Sequence, residues 1–280
     1  MSSSGSACRK VSRWEIKRYN KWSRESVHET TCFLTHSPSH GTIHFNMTNK
    51  LLVLFEKLNR FQKQLRDLHL IRRLEKQKVF CVGYNKTGTT SIELALKDFG
   101  YKVGIQSEAE LLMDDWAIRD FRRIVEYCNT ADAFQDMPFS LDFTYQVLDY
   151  AFPGSKFILT IRNNADEWYQ SLVRFHAQIM GVKGKPTMSD LKKFTYREQG
   201  WLWRQQQNIF GANEKTLYDE EIYKSYYENH NNQVLEYFKF RPKDLLVLNL
   251  ENSDSMQSLC SFLGIKYEGQ KMPHLNKSKV

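Results

Sequence analysis

Residues Lys78 to Ser91 read KVFCVGYNKTGTTS, the most informative segment of this chain. Its first residues form a short apolar run, as in a buried strand, and residues 89–99 have the apolar spacing of a helix that packs on a sheet. Between them, Gly83 and Gly88 frame a loop that presents successive backbone N–H groups at a helix N-terminus. Such a loop favours a bound anion through hydrogen bonds and through the helix dipole. We therefore predict a phosphate-binding loop at the start of an α/β domain.

The loop differs from that of the P-loop NTPases in where it carries positive charge. In the NTPase pattern G-x-x-x-x-G-K-[ST], a lysine follows the second glycine and reaches the β- and γ-phosphates. Thr89 stands at that position here, and the cation of the loop is Lys86, three residues earlier. A bound phosphate therefore meets positive charge at a different point.

Beyond this loop, short apolar runs alternate with longer stretches of helical periodicity. We predict strands at 79–82, 101–105, 131–135, 156–161 and 245–250, and helices at 89–99, 108–127, 139–151, 165–180, 189–210, 219–239 and 253–263. This alternation indicates a P-loop-type α/β fold, in which a parallel β-sheet of about five strands has helices on both faces. Ligands of such sheets bind at the carboxyl ends of the strands.

Two blocks of the sequence together resemble one known family. The string KTGTTS at residues 86–91, after Val82-Gly83, resembles the 5′-phosphosulfate loop of sulfotransferases that use 3′-phosphoadenosine-5′-phosphosulfate (PAPS). The block KFILTIR, from Lys156 to Arg162, followed by Ser171, resembles the strand, arginine and helical serine with which that family holds the 3′-phosphate. The blocks occur in the right order, and the resemblance covers residues 78–277.

This resemblance implies an enzyme that moves a sulfuryl group in line from PAPS to a hydroxyl or amine and releases 3′-phosphoadenosine-5′-phosphate (PAP). It assigns Lys86 to the negative charge that develops on the departing phosphate oxygen. The cofactor-binding residues of this loop are then Gly83, Lys86, Thr87, Gly88, Thr89, Thr90 and Ser91. Of these, Gly83 and Gly88 allow the tight turn, and Thr87 to Ser91 are implied to bind the 5′-phosphate. Many relatives have, in place of Ser91, a tryptophan that stacks on adenine. The resemblance implies no metal, because Lys86 supplies the positive charge that a lysine and Mg²⁺ supply together in the NTPases.

The 3′-phosphate site is expected around Arg162, which ends an apolar strand. A charge at such a position is costly unless it meets an anion, and a planar guanidinium suits a phosphate. A surface salt bridge is the alternative for this side chain. The resemblance adds Ser171, nine residues later, and Asn276 and Lys277 near the C-terminus, where a frayed end is the alternative.

The acceptor hydroxyl needs a base, and Asp136 in the string FQDMP is the first candidate. It stands where many cytosolic sulfotransferases carry a histidine before x-Pro. Burial would raise the pKa of this carboxyl toward the range that suits a general base. The structural alternative is a helix N-cap, with Pro138 in the first helical position. His176, one or two turns beyond Ser171, is the second candidate base.

The net charge of +8 is concentrated near the N-terminus. Residues 1–78 contain 16 of the 40 Lys and Arg residues but only 6 of the 32 Asp and Glu residues. We expect a poorly ordered extension at 1–46, an amphipathic lead-in helix at 47–77 and a sulfotransferase domain at 78–280. The helix either docks on the domain or makes a peripheral membrane contact. We expect a solvated basic leader here and no nucleic-acid partner.

Cysteine usage and the lack of long apolar runs suggest a cytoplasmic protein. The five cysteines form no C-x-x-C pair and no metal-ligand spacing, as expected of reduced thiols. No stretch resembles a signal peptide or a bilayer-spanning anchor. A glycosylation sequon at Asn85 lies inside the phosphate loop, where a glycan would obstruct binding.

Two other functions are considered beside sulfuryl transfer. A P-loop nucleotide kinase or NTPase-like enzyme would need the missing lysine and a Walker-B aspartate, whereas the last predicted strand ends as Asn249-Leu250-Glu251. A non-catalytic nucleotide-binding scaffold would not need Lys86, Arg162 and Ser171 together. The acceptor is a small molecule or a carbohydrate, and no motif specifies it further.

Overall fold

The computed structural model describes residues 77–273. The predicted extension at 1–46, all but the last residue of the predicted helix at 47–77, and the expected ligands Asn276 and Lys277 lie outside this range. Among the described residues, none of the helices combines the length and apolar character that crossing a bilayer requires.

A parallel β-sheet forms the centre of the described domain. Its strands are β1 (Val79–Cys81), β2 (Ala133–Gln135), β3 (Lys156–Ile161) and β4 (Leu245–Asn249). They lie in the order β2-β1-β3-β4, and every neighbouring pair is parallel. All four strands therefore end at the same edge of the sheet, and the phosphate loop, Asp136 and Arg162 follow β1, β2 and β3 there.

Strands β1, β2 and the middle of β3 are buried on both faces because their side chains alternate between two apolar cores. Phe80, Phe134 and Phe157 point to one face, where the Phe80 ring centroid lies 5.7 Å from that of Phe134 and 5.6 Å from that of Phe157. Cys81 and Ile158 belong to the core on the other face. This pattern explains why the strands read as continuous apolar runs.

Helices cover both faces, which confirms the predicted fold class. They are α1 (Thr89–Asp98), α2 (Gln106–Ala109), α3 (Met113–Ala117), α4 (Arg122–Tyr127), α5 (Thr144–Ala151), α6 (Ala165–Met180), α7 (Met188–Lys193), α8 (Trp201–Phe210), α9 (Glu220–Phe238) and α10 (Ser255–Leu263), with a 3₁₀ turn at Glu110–Leu112. Helices α1 and α10 contribute to the core that contains Cys81, and α2 to α9 to the core that contains the phenylalanines.

Residues 101–105, predicted as a strand, form only an isolated bridge between Val103 and Ala133. The described sheet therefore has four strands. The backbone at Gly104 lies against the Phe134 ring, so closely that a Cβ on this glycine would be 2.6 Å from a ring carbon. Helix α2 then begins at Gln106, directly after this segment.

Two predicted long helices are interrupted. The helix predicted at 108–127 divides into α2, α3, α4 and the 3₁₀ turn, and α3 ends just before Arg119, whose φ is 61°. The helix predicted at 189–210 divides into α7 and α8, joined by residues 194–200 with a bridge between Thr195 and Gln199. These breaks bring side chains such as Glu110 and Tyr196 to the cleft described below.

Candidate active site

Close contacts with other strands explain both glycines of the phosphate loop. A Cβ on Gly83 would lie 2.1 Å from Thr160 Oγ1 of β3, so no side chain fits there. Gly88 has a φ of 99°, which favours glycine, and a Cβ would lie 2.6 Å from Leu250 Cδ2. The loop is thus packed tightly between the ends of β3 and β4.

Side chains from distant elements hold the carbonyl groups of the loop. His230 Nε2 donates to Val82 O (2.8 Å), Trp168 Nε1 to Asn85 O (3.0 Å) and Arg162 Nε to Lys86 O (2.8 Å). At the start of α1 the N-cap residue is Gly88, which has no side chain to cap the helix. The first N–H groups of a helix have no partner within the regular helical pattern. The N–H of Ser91 donates to Gly88 O at 2.9 Å, so the N–H groups of Thr89 and Thr90 are the ones of the first turn that face an anion.

Lys86 occupies a strained backbone position beside an aromatic ring. Its φ is 68°, which is uncommon for a residue other than glycine. Its Nζ lies 3.8 Å from the centroid of the Phe175 ring on α6, at cation–π distance. Burial lowers the pKa of Lys86, while the nearby carboxyl of Asp136 opposes this shift. The ammonium group is therefore partly desolvated within the cleft.

The four hydroxyls after Lys86 have different surroundings. Thr87 Oγ1 donates to Tyr84 O and lies 2.5 Å from Thr160 Oγ1, so this side chain stabilises the loop itself. Thr89 Oγ1 donates to Asp136 Oδ2 (3.3 Å). The side chains of Thr90 and Ser91 line the cleft.

Arg162, directly after β3, is already paired with protein groups. Besides the bond from its Nε to the loop, its Nη1 donates to Glu251 Oε1 at 2.9 Å. The salt bridge considered from the sequence is thus present, but it lies at the cleft rather than on a remote surface. Ser171 of α6 lines the same cleft.

Asp136 follows β2 with a φ of 61° and is partly buried. Its Oδ1 accepts from the N–H of Met137 (2.8 Å) and its Oδ2 from Thr89. Burial, and then the charge of Glu110, raise the pKa of Asp136 to about 7, against the lowering effects of these hydrogen bonds and of Lys86. The next helix, α5, begins only at Thr144, so Asp136 is not a helix N-cap.

His176 of α6 also lines the cleft but is bonded to the protein on one side. Its Nδ1 lies 2.7 Å from the hydroxyl oxygen of Tyr218. Burial, and then the charge of Lys86, lower the pKa of His176 to about 3. The imidazole is therefore neutral at physiological pH and a weak base, whereas Asp136 has a pKa suited to proton transfer.

These groups surround one cleft with a volume of about 1330 Å³. Sequence reasoning missed several polar and aromatic residues of its wall, among them Glu93, Gln106, Glu110, Gln135 and Tyr196. Gln135 could have been found by its place at the carboxyl end of a strand, next to Asp136. The others come from segments without a motif, and buried Glu110 is held by an ion pair with Arg197.

Comparison with known protein families gives a match over most of this chain. Residues 78–280 match the family model described as a sulfotransferase domain. The match begins at Lys78, the first residue of the stretch that contains the phosphate loop, and includes every residue of the cleft named above. A search of curated proteins found no match.

Proposed function

The chain belongs to the sulfotransferase family, and we propose that it transfers a sulfuryl group from PAPS to a hydroxyl or amine of an acceptor, releasing PAP. The observation that supports this proposal is the convergence of Lys86, Arg162 and Asp136 on one cleft. They come from the carboxyl ends of three neighbouring parallel strands, where ligands of such sheets bind.

The residues present fit PAPS. The uncapped N–H groups of α1, with the hydroxyls of Thr90 and Ser91, would hold the 5′-phosphate. Arg162 and Ser171 would hold the 3′-phosphate. A single ligand site is typically about 300–1,000 Å³, so a cleft of about 1330 Å³ leaves room for a second, small molecule.

When bound, PAPS supplies the activated sulfuryl group and a phosphate leaving group. Lys86 stabilises the negative charge that grows on the departing oxygen, and its partial desolvation strengthens this interaction. Asp136 takes the proton of the acceptor at a carboxylate oxygen, because its pKa of about 7 leaves much of it ionised at neutral pH. Thr89 donates a hydrogen bond to Oδ2 of Asp136 and so orients the carboxyl group.

We further propose a cytosolic setting and a small-molecule or carbohydrate acceptor. Among residues 77–273, the buried cysteines Cys81, Cys128 and Cys260 have free thiols, as is usual in reducing compartments. A glycan on Asn85 would obstruct the phosphate loop, whose carbonyl at this residue is held by Trp168. Detection of a glycan on Asn85 in the natural protein would contradict this setting.

The test of the proposed function is binding of PAP without added metal. We expect PAP at about 100 times its Kd to stabilise the full chain by about 2.7 kcal/mol, measured as a rise in the unfolding midpoint in the presence of EDTA. Stabilisation by Mg·ATP together with no response to PAP would overturn the proposal in favour of a kinase-like enzyme. Transfer of labelled sulfate to pools of acceptors would then identify the second substrate.

A further inference from the structure

The side of the cleft that contains Arg162 also contains a carboxylate, Glu251, two residues after β4. Its Oε1 accepts from Arg162 Nη1 (2.9 Å) and its Oε2 from Asn163 Nδ2 (2.6 Å). The backbone N–H of Glu251 donates to Asn249 Oδ1 (3.0 Å), and Asn249 Nδ2 donates to Asn163 Oδ1 (2.7 Å). The carboxylate is thus held against the guanidinium by an arranged set of hydrogen bonds.

Arg162 cannot easily turn away from this partner. Its Nε is bonded to the carbonyl of Lys86 at 2.8 Å, so the plane of the guanidinium is fixed by the phosphate loop. An anion that approaches Arg162 from the cleft must either displace Glu251 or lie beside it. Displacement is feasible, because the side chain of Glu251 is 49% exposed and that of Arg162 is 29% exposed, and exposed ion pairs are weak.

We propose that Glu251 competes with the 3′-phosphate for Arg162 and thereby lowers the affinity of the protein for PAP. This inference rests on the proposed function, since it takes Arg162 as the ligand of the 3′-phosphate. The carboxylate of Glu251 and the 3′-phosphate are both negative and repel each other beside the guanidinium of Arg162. Binding is weakened whether Glu251 is displaced or remains in place. Nucleotides that lack a 3′-phosphate leave the ion pair intact and are not affected. Glu251 therefore determines how tightly the product is held.

The substitution Glu251→Gln tests this inference because it keeps the shape and removes the charge. We expect Glu251→Gln to bind PAP roughly 5- to 50-fold more tightly than the unaltered chain, as removal of one like charge near the protein surface would produce. Binding of 5′-AMP should change less than about twofold, because AMP has no group for Arg162 to bind. Both affinities are measured by calorimetric titration of the full chain at low salt, and the gain for PAP should shrink at higher ionic strength.

Glu167→Gln is the matched control. Glu167 also lines the cleft and also accepts from Asn163 Nδ2, at 3.2 and 3.1 Å, but the contacts of Arg162 do not include it. Removal of its charge should leave PAP affinity within about twofold of the original, since surface charges that make no direct contact are screened.

Four results would overturn the inference. They are unchanged or weaker PAP binding by Glu251→Gln, an equal gain for AMP, an equal gain in Glu167→Gln, and no dependence of the gain on salt. The melting temperature of the ligand-free variant checks the fold, and Glu251→Ala serves as a second variant with the same expectation. Absence of PAP binding by the unaltered chain would instead refute the proposed function, and this inference with it.

Discussion

Replacement of Asp136 by Asn should make the protein more stable at alkaline pH. The pKa of this carboxyl is raised from 3.8 to about 7, mainly by burial and next by Glu110. Between these two values the unfolded chain releases a proton that the folded chain retains, so the native state loses stability as the pH rises. Asparagine carries no such proton. Its Oδ1 can still accept from Met137 N–H, and the hydroxyl of Thr89 can accept from its amide.

The size of this effect follows from the pKa shift. One pKa unit corresponds to about 1.4 kcal/mol, so the shift of Asp136 sets an upper limit of about 4 kcal/mol above pH 7. Because the side chain is only partly buried, we expect a gain of about 1–4 kcal/mol at pH 8. The two proteins should have nearly equal stability at pH 4, where Asp136 is protonated in the folded state.

Urea unfolding of the full chain, followed by circular dichroism at pH 4, 6 and 8, measures this difference. Asp142→Asn is a control of opposite sign. Burial tends to raise the pKa of Asp142, but hydrogen bonds with His230 and Tyr226 outweigh it and lower the pKa. Asp142→Asn should therefore destabilise the protein at pH 8 and do so less as the pH falls. If Asp136→Asn were less stable than the original at pH 8, or if the difference did not change with pH, the raised pKa would be refuted.

Four further predictions concern binding, turnover and folding. Lys86→Ala should lower kcat by at least about 100-fold with the fold intact. Lys239→Ala, which removes an exposed lysine, should be fully active. Equal activity of the two variants would refute the role of Lys86. Arg162→Ala should weaken PAP binding in calorimetry by about 10-fold or more, and unchanged affinity would place the 3′-phosphate elsewhere. Asp136→Asn should keep PAP affinity and lose about 10²–10⁴ in turnover, while an active variant would transfer the role to another base. Gly83→Ala should unfold at markedly lower urea concentration, because its Cβ would meet Thr160 at 2.1 Å; an unchanged midpoint would contradict the packing of the loop.

Local sequence patterns predict the bounds of a helix or turn when residues close to it in the chain stabilise it. The sequence predicts a helix at 165–180, and α6 has these bounds. Asn164 caps its first turn by accepting from Glu167 N–H, and Gly181 adopts the left-handed conformation at its end. The turn between β1 and α1 is predicted by the sequence for the same reason. Its glycines and its flanking apolar patterns lie within residues 78–99. The family match over residues 78–280 agrees with the resemblance found in these motifs.

Helical periodicity alone did not reveal where long helices break. Apolar spacing continues through 189–210, yet Phe194 leaves the helical conformation and Gly200, with a φ of 75°, starts α8. The connecting residues place Tyr196 at the cleft and Arg197 against Glu110. Such a break is stabilised by contacts with residues far away in the chain, which a local pattern does not contain.

The residue types at the strand ends can be read directly from the amino-acid sequence. Their protonation and their pairing depend on the folded structure. The parallel register of β1, β2 and β3 brings Asp136 to Thr89 and Arg162 to the carbonyl of Lys86, across 47 and 76 residues of chain. Burial in this arrangement raises the pKa of Asp136, and the end of β4 places Glu251 on Arg162. Protonation and pairing depend on distance and desolvation, and these exist only after the strands have assembled.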